Sequence, residues 1–375
     1  MNSLPHEVQL DVLKCLDFDQ IFCVKQTNFY FKNLIKKYEN VLARKKFNGL
    51  LIAYDNTYGL QELELHKIVE LESGLFEFTL TDQLKKKWET AIAESIPLYL
   101  HGSDTGRNVI LTNIFKKGKQ RYYRPISDMG NYLLFESVIR FSLLSYSMTL
   151  QSLYTLELPN VPKNIEEMII IRCWMEHLIN CAFECVAFYR VVFNPEMINL
   201  LFDNYNSIPL QFHIQTPILI TDNNTIFEHF WKFAFNYSII PESLSFCFRQ
   251  SNVSEQHINI LFNFLINEGN KLSEVYFSFY GPPRLYELIV EYVATTRNCS
   301  KMVDFIKFNY YNVTDLPLNK RARIVEIEQL GDGKLTKYQI VNIYNRKKIF
   351  YLCSAKEKNG LSIMLSSRNL ERWSF

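Results

Sequence analysis

The sequence predicts an α+β protein: a short helical module, then a strand–helix array, then a closing antiparallel β-meander. Three observations carry this. The first 46 residues hold three short helix-period apolar patterns. From about residue 165, period-two apolar runs alternate with helix-period runs. Roughly the last 55 residues carry only period-two runs, separated by turn residues.

At 375 residues the chain exceeds one comfortable core, so two or three domains or a repeat array are expected. With 48% hydrophobic and 21% charged residues it reads as globular rather than disordered. The 29 Phe and 22 Tyr, against 12 Gly and 12 Pro, favour packed strands and thick helix faces. Net charge is +2, and the basic clusters (Lys85–Lys87, Lys116–Arg121, Lys320–Arg323, Arg346–Lys348) are scattered. They read as solvated loops and helix faces; a nucleic-acid surface would concentrate its basic excess. No run of about 18 apolar residues exists, so no membrane span is predicted. Glu7, Asp11, Asp17 and Asp19 occupy the region a signal peptide would need apolar, which predicts a cytosolic or nuclear protein. In that setting Cys15, Cys23, Cys173, Cys181, Cys185, Cys247, Cys299 and Cys353 read as small core residues, not disulfides.

The first helix is expected over 4–16. Pro5 sits in its first turn, where a missing N–H costs nothing, and Glu7 lies near the positive end of the dipole. Val8, Val12, Cys15 and Leu16 line one face, while Leu10 and Leu13 fall off it, so the helix is apolar nearly all round. Asp17-Phe18-Asp19 caps a second helix with Ile21, Phe22 and Val24. Phe29, Phe31, Leu34 and Ile35 begin a third, expected to reach about Lys46. Three such helices bury too little to stand alone, so this module, residues 1–46, needs a partner surface.

Residues 47–160 form a mixed connecting region. Leu75 to Leu80 has period two, Thr81-Asp82 caps a helix with Leu84, Trp88 and Ile92, and Ile96 to Leu100 reads as a strand. Asn108–Phe115 and Gln120–Pro125 flank Lys116-Lys117-Gly118-Lys119 as a hairpin. Over 161–318, strands are expected to centre on Ile170, Val191, Phe212, Phe246, Phe277 and Phe308, spaced by about 21, 21, 34, 31 and 31 residues. Helices at Pro195–Asp203, Ile226–Asn236, Ser254–Asn267 and Pro283–Thr295 lie between them. Strand plus helix at this repeat length is the pattern of a leucine-rich-repeat-like curved array; an ordinary doubly wound α/β domain is the alternative. Residues 319–375 read as four strands, Arg323–Leu330, Lys337–Tyr344, Ile349–Cys353 and Leu361–Leu365, able to cap the array's end.

Few residues suggest chemistry. Cys173, His177, Cys181 and Cys185 are zinc-ligand types. In one helix, twelve residues rise about 18 Å, too far to surround one ion, so they read as buried thiols. Gly102-Ser-Asp-Thr-Gly106-Arg107 has three residues between its glycines where a phosphate loop needs four, then Lys and Ser/Thr. The seven histidines share no motif with a nucleophile. No catalytic, cofactor or metal residue is assigned.

Leu4-Pro5-His6-Glu7-Val8, Val12-Leu13, Leu16-Asp17, Ile21, Val24, Phe31 and Leu34 together resemble the F-box, the docking module of ubiquitin-ligase receptor subunits. Gln9 stands where that pattern usually has Leu, and Thr27 where an apolar residue is common. Pro162–Met168, Asn194–Asp203 and Lys337–Tyr344 resemble the irregular strand–helix domain that follows the box in the large nematode F-box families. The resemblance implies a substrate-recognition subunit of an SCF-type ligase. The box would bind the Skp adaptor and, through it, a cullin, and the C-terminal array would hold a protein substrate. No cofactor, nucleic acid or membrane is implied, and no residue would perform chemistry. Leu4, Pro5, Glu7, Val8, Val12, Leu13, Leu16, Ile21, Val24, Phe31 and Leu34 would contact the adaptor. An adaptor-binding scaffold acting outside ubiquitination, or an enzyme with a composite site, are the alternatives. If the array holds a substrate on its strand-lined face, Arg190, Gln211, His213, Arg249, Tyr280 and Tyr310 are the candidates.

Overall fold

A computed structural model describes residues 4–54, 66–68, 80–101, 109–115, 153–202, 211–221, 224–239, 243–249, 253–311, 313, 316, 320–330, 333–357 and 360–368. Three short helices come first: α1 (His6–Lys14), α2 (Phe18–Lys25) and α3 (Phe29–Lys37). Asp17 and Gln20 close a reciprocal capping box on α2, and the Asn28 side chain accepts from the Phe31 N–H to start α3. The third helix therefore ends nine residues earlier than expected. A single 3-10 turn follows, and the chain is already a strand at Lys45.

The rest is built on one fourteen-stranded mixed sheet. Strand β1 (Lys45–Tyr54) pairs parallel with β6 (Cys181–Tyr189) and antiparallel with β4 (Val109–Phe115), which pairs with β5 (Leu153–Pro159) and through it β2 (His66–Ile68). The connecting region thus extends the same sheet as the array. A separate ribbon joins β3 (Tyr99–His101) to β7 (Val191–Phe193). Helix α4 (Asp82–Ala93) is capped by Thr81 as expected. Its fully buried Trp88 donates to the Leu200 carbonyl at 2.9 Å. Residues 75–79 of the first expected strand, the turn at 116–119 and its second strand at 120–125 lie outside the described residues.

The stretch around Ile170 is a helix, α5 (Ile165–Ile179), not a strand. Asn164 caps it through the Glu167 N–H, and Glu166 and Glu167 face the positive end of its dipole. It is buried on several sides, so its apolar run has no helical period to read. The expected strand at Val191 is the ribbon strand β7, and the array strand at that place is β6; with both corrections the repeat becomes regular. The parallel strands β6, β8 (Phe212–Thr221), β10 (Ser243–Phe248), β11 (Glu274–Phe279) and β12 (Phe305–Tyr311) begin 31 residues apart. Helices α6 (Pro195–Phe202), α7 (Asn224–Tyr237), α8 (Glu255–Asn267) and α9 (Arg284–Thr295) lie between them; the two-residue β9 (Ser238–Ile239) pairs beside β8.

Each of these five strands lies beside its predecessor in the chain. A doubly wound sheet would reverse its order partway. Uniform progression with right-handed crossovers places the helices on one face. On that face Phe246, Phe277 and Phe308 stack at 5.5 Å, and Phe248, Phe279 and Tyr310 at 5.2 and 5.6 Å. In-register parallel strands, about 4.8 Å apart, put identical positions directly above one another, so the aromatic rings stack from strand to strand.

The C-terminal meander runs through β13 (Ala322–Leu330), β14 (Gly333–Val341), β15 (Ile349–Glu357) and β16 (Gly360–Ser366). Strand β16 pairs antiparallel with β12 and so continues the sheet past the last repeat. Asn342 ties it to α9: its amide donates to the Val293 and Thr296 carbonyls at 2.9 and 2.7 Å. A Cβ at Gly360 would collide with the Tyr310 carbonyl, so glycine alone allows β16 to seat.

Candidate functional site

Two surfaces carry the candidate residues. The first is the helical segment α1–α3. Its own small core consists of Leu13, Ile21, Phe31, Leu34, Ile35 and Leu42, apart from the main core. Four expected docking residues, Leu13, Ile21, Phe31 and Leu34, are therefore internal and cannot meet a partner. Leu4, Pro5, Glu7 and Val8 are exposed, and Val12, Leu16 and Val24 are half-buried, the last two against that core. Sequence reasoning missed Phe22, Phe29 and Tyr30, exposed by 50%, 75% and 47%. Three aromatic residues at the surface of one short segment are the signal that could have found them.

Gln9 is not on the outer surface. It is 2% exposed; its amide donates to the Leu4 carbonyl at 2.8 Å, and its oxygen accepts from the Tyr30 hydroxyl at 2.6 Å. Its polarity serves to join α1 to α3. The segment meets the rest of the fold through Arg44, which donates to the carbonyl of Ile179, the last residue of α5, at 2.8 Å.

The second surface is the sheet face opposite the helices of the array. Alternation along β11 and β12 puts Tyr276, Ser278, Lys307 and Asn309 there, each half-buried. At the C-terminal ends of the strands this face gathers an arginine–tyrosine cluster. Arg249 donates to the Tyr189 hydroxyl at 2.9 Å, and the Arg190 guanidinium lies 5.3 Å from the Tyr189 ring. Tyr280 and Tyr311 stack at 4.6 Å. The Arg190 and Arg249 N–H groups both donate to the end of β8, to Ile220 and Thr221 at 2.8 Å each. Arg190 holds φ at 56°, a left-handed backbone that a non-glycine residue adopts only when its surroundings impose it.

The structure thus brings Arg190, Arg249 and Tyr280 together and adds Tyr189 and Tyr311, which the sequence reading left out. Gln211 and His213 sit at the other end of β8, roughly 25 Å away along the strand. Burial, with Arg44 nearby, pushes the His213 imidazole down to about 4, so it is neutral near pH 7. Tyr310 is misplaced: it is 1% exposed, on the helix side of the sheet, inside the aromatic stack. The strand's alternation puts its neighbour Tyr311 on the open face instead.

Cys173 and His177 lie on α5, whereas Cys181 and Cys185 lie on β6. Among the described residues, no group of three or more His, Cys, Asp or Glu is placed to hold a metal ion. Both Cys181 and Cys185 are half-buried, and burial pushes their thiols up to about 11 and 12. Ser254, His257 and Glu228 form a chain of contacts at 2.7 and 3.2 Å. The same Ser254 hydroxyl accepts from the His257 N–H as the cap of α8, so this trio reads as a helix start rather than an activated nucleophile.

No described helix is long and apolar enough to cross a membrane. A family model described as a domain of unknown function (DUF8381) matches residues 69–249, just under half of the chain. The matched stretch runs to the end of β10 and includes Arg190, Gln211, His213 and Arg249, but not α1–α3 or the meander. No curated protein and no solved structure matches the chain.

Proposed function

We propose that this protein is a substrate-recognition subunit of an SCF-type ubiquitin ligase, with α1–α3 as an F-box that docks the Skp adaptor and the open sheet face as the substrate surface. One observation carries the reading. The helical segment closes a core of its own yet leaves exposed Leu4 and Val8, the ends of the motif that resembles the box, along with Phe22 and Phe29. An apolar surface of this kind marks an interaction site. The docking face is narrower than the sequence implies: Leu4, Pro5, Glu7 and Val8, with the accessible parts of Val12, Leu16 and Val24.

The subunit's contribution to ubiquitin transfer would be proximity. It would hold a substrate lysine near a charged carrier, with no bond made or broken by its own side chains. Arg190, Arg249, Tyr189, Tyr280 and Tyr311 would form one end of the substrate surface, suited to a polar or acidic segment by their charge and donors.

The test is capture of the Skp adaptor and cullin by the full chain. Wild type retains both; Leu4→Ala with Pro5→Ala, and separately Val8→Asp, lose both while keeping the wild-type melting temperature. Undiminished adaptor recovery from both variants would remove the F-box assignment. Adaptor recovered without cullin would instead identify a scaffold acting outside ubiquitination.

A further inference from the structure

Strand β13 is nine residues long, and among the described residues it ends the sheet. Its Ile324, Val325 and Ile327 are 48%, 57% and 53% exposed. A long edge strand with apolar side chains is a template for another strand, and proteins normally cover or blunt it.

Its charges are ordered. Lys320, Arg321 and Arg323 precede the apolar residues, and Glu326 and Glu328 fall in the second half. Turned end for end, such a strand is its own complement: the basic half meets the acidic half. A parallel copy in register would set Arg against Arg and Glu against Glu.

We propose that β13 pairs antiparallel with β13 of a second copy of this chain, about a two-fold axis normal to the sheet near Val325 and Glu326. Arg323 of each copy then lies opposite Glu328 of the other, and Ile324 opposite Ile327. Such an axis requires opposed residues to share a face. In a strand of uniform alternation they would not, because 323 and 328 are five apart, and 324 and 327 three apart. The register shift between Ile324 and Glu326 changes this. Arg323 and Glu328 face Gln339 and Leu335, four apart on β14, and Ile324 and Ile327 face Tyr338 and Thr336, two apart. Each pair is therefore on one face, and the bulge puts the charged and apolar pairs in phase together.

One edge strand falls short of the roughly 1,200–2,000 Å² of a stable interface, so the dimer is weak and concentration-dependent. This inference does not rest on the F-box reading. Sedimentation velocity on the full chain, from low micromolar concentration upward, tests it. Wild type passes from monomer to dimer. Arg323→Glu weakens the dimer about tenfold by setting Glu against Glu at both symmetric positions. Arg323→Glu with Glu328→Arg restores it; Glu328 also accepts from Lys337 at 2.8 Å within its own chain, and that variant leaves the other Lys337 partner, Glu326 at 2.9 Å, unchanged in sequence. Ile327→Lys abolishes it. A wild type that stays monomeric at every concentration overturns the proposal, as does a dimer indifferent to both Arg323→Glu and Ile327→Lys.

Discussion

Phe277 is the middle ring of the buried stack, and its truncation tests whether the array coheres through its aromatics. The ring is fully buried. It lies 5.5 Å from Phe246 at 10° and 5.5 Å from Phe308 at 16°. Truncating a buried Phe to Ala costs about 3–5 kcal/mol through lost burial and the cavity left. Each offset stack adds about 0.5–1.5 kcal/mol beyond area, part of it already in the first figure. Phe277→Ala should therefore cost about 4–5 kcal/mol, a large share of the roughly 5–15 kcal/mol typical of whole domains. Phe277→Leu keeps most of the volume and loses the stacking, so about 1–2 kcal/mol is expected. Guanidinium unfolding, followed by far-UV circular dichroism and tryptophan fluorescence, reads both. Trp231 stacks on Phe246 at 6.4 Å, one strand away, so the two probes should shift together. A loss under about 1.5 kcal/mol for Phe277→Ala, or probes that separate, would refute the picture of one core running along the stack.

Other substitutions test other joints. Asn342→Asp turns the amide that donates to Val293 and Thr296 into an acceptor facing two carbonyls. It should cost about 3 kcal/mol and loosen the meander from α9, visible as faster hydrogen exchange in β14. Gln9→Ala frees the Leu4 carbonyl and Tyr30 hydroxyl; both residues reach water, so the cost should be about 1–2 kcal/mol, read as a lower melting temperature. His213 has a folded pKa pushed below its unfolded value of 6.5, to about 4. The unfolded chain therefore takes its proton first, so this site's stability is intact above about pH 6.5 and falls as pH drops toward 4. His213→Gln should flatten that part of the pH–stability curve. Cys15 and Cys23, exposed rather than in the core as expected, should be alkylated within the folded protein, while buried Cys247, its thiol pushed up to about 11, and half-buried Cys185, up to about 12, stay unmodified; mass spectrometry distinguishes them.

Much of the local structure is legible without coordinates, because its causes are local. Asp17, Thr81 and Ser254 announce helix starts through their own side chains, and all three accept the capping N–H. The alternation at Phe246, Phe277 and Phe308 marks strands, and the four period-two runs of the tail are four antiparallel strands in order. The chain's own spacing even holds the repeat of 31 residues, hidden by the expected strands at Ile170, which is helix α5, and at Val191, which belongs to β7 while β6 holds the array position.

What the tertiary structure alone decided is which side of each element is covered. A helix buried on several sides shows no period, so α5 could be placed only by what surrounds it. Alternation says that a strand has two unlike faces but not which one the helices take. With tyrosines at both 310 and 311, only packing buries the first and leaves the second stacked on Tyr280 in the open. Gln9 departs from the box pattern, where Leu is usual, and the sequence does not show what it meets; α3 supplies the tyrosine that makes an inward glutamine stable. The edge strand needed both levels. Its charge order is written in the sequence, but the one-residue bulge that aligns its faces exists only once β14 lies alongside.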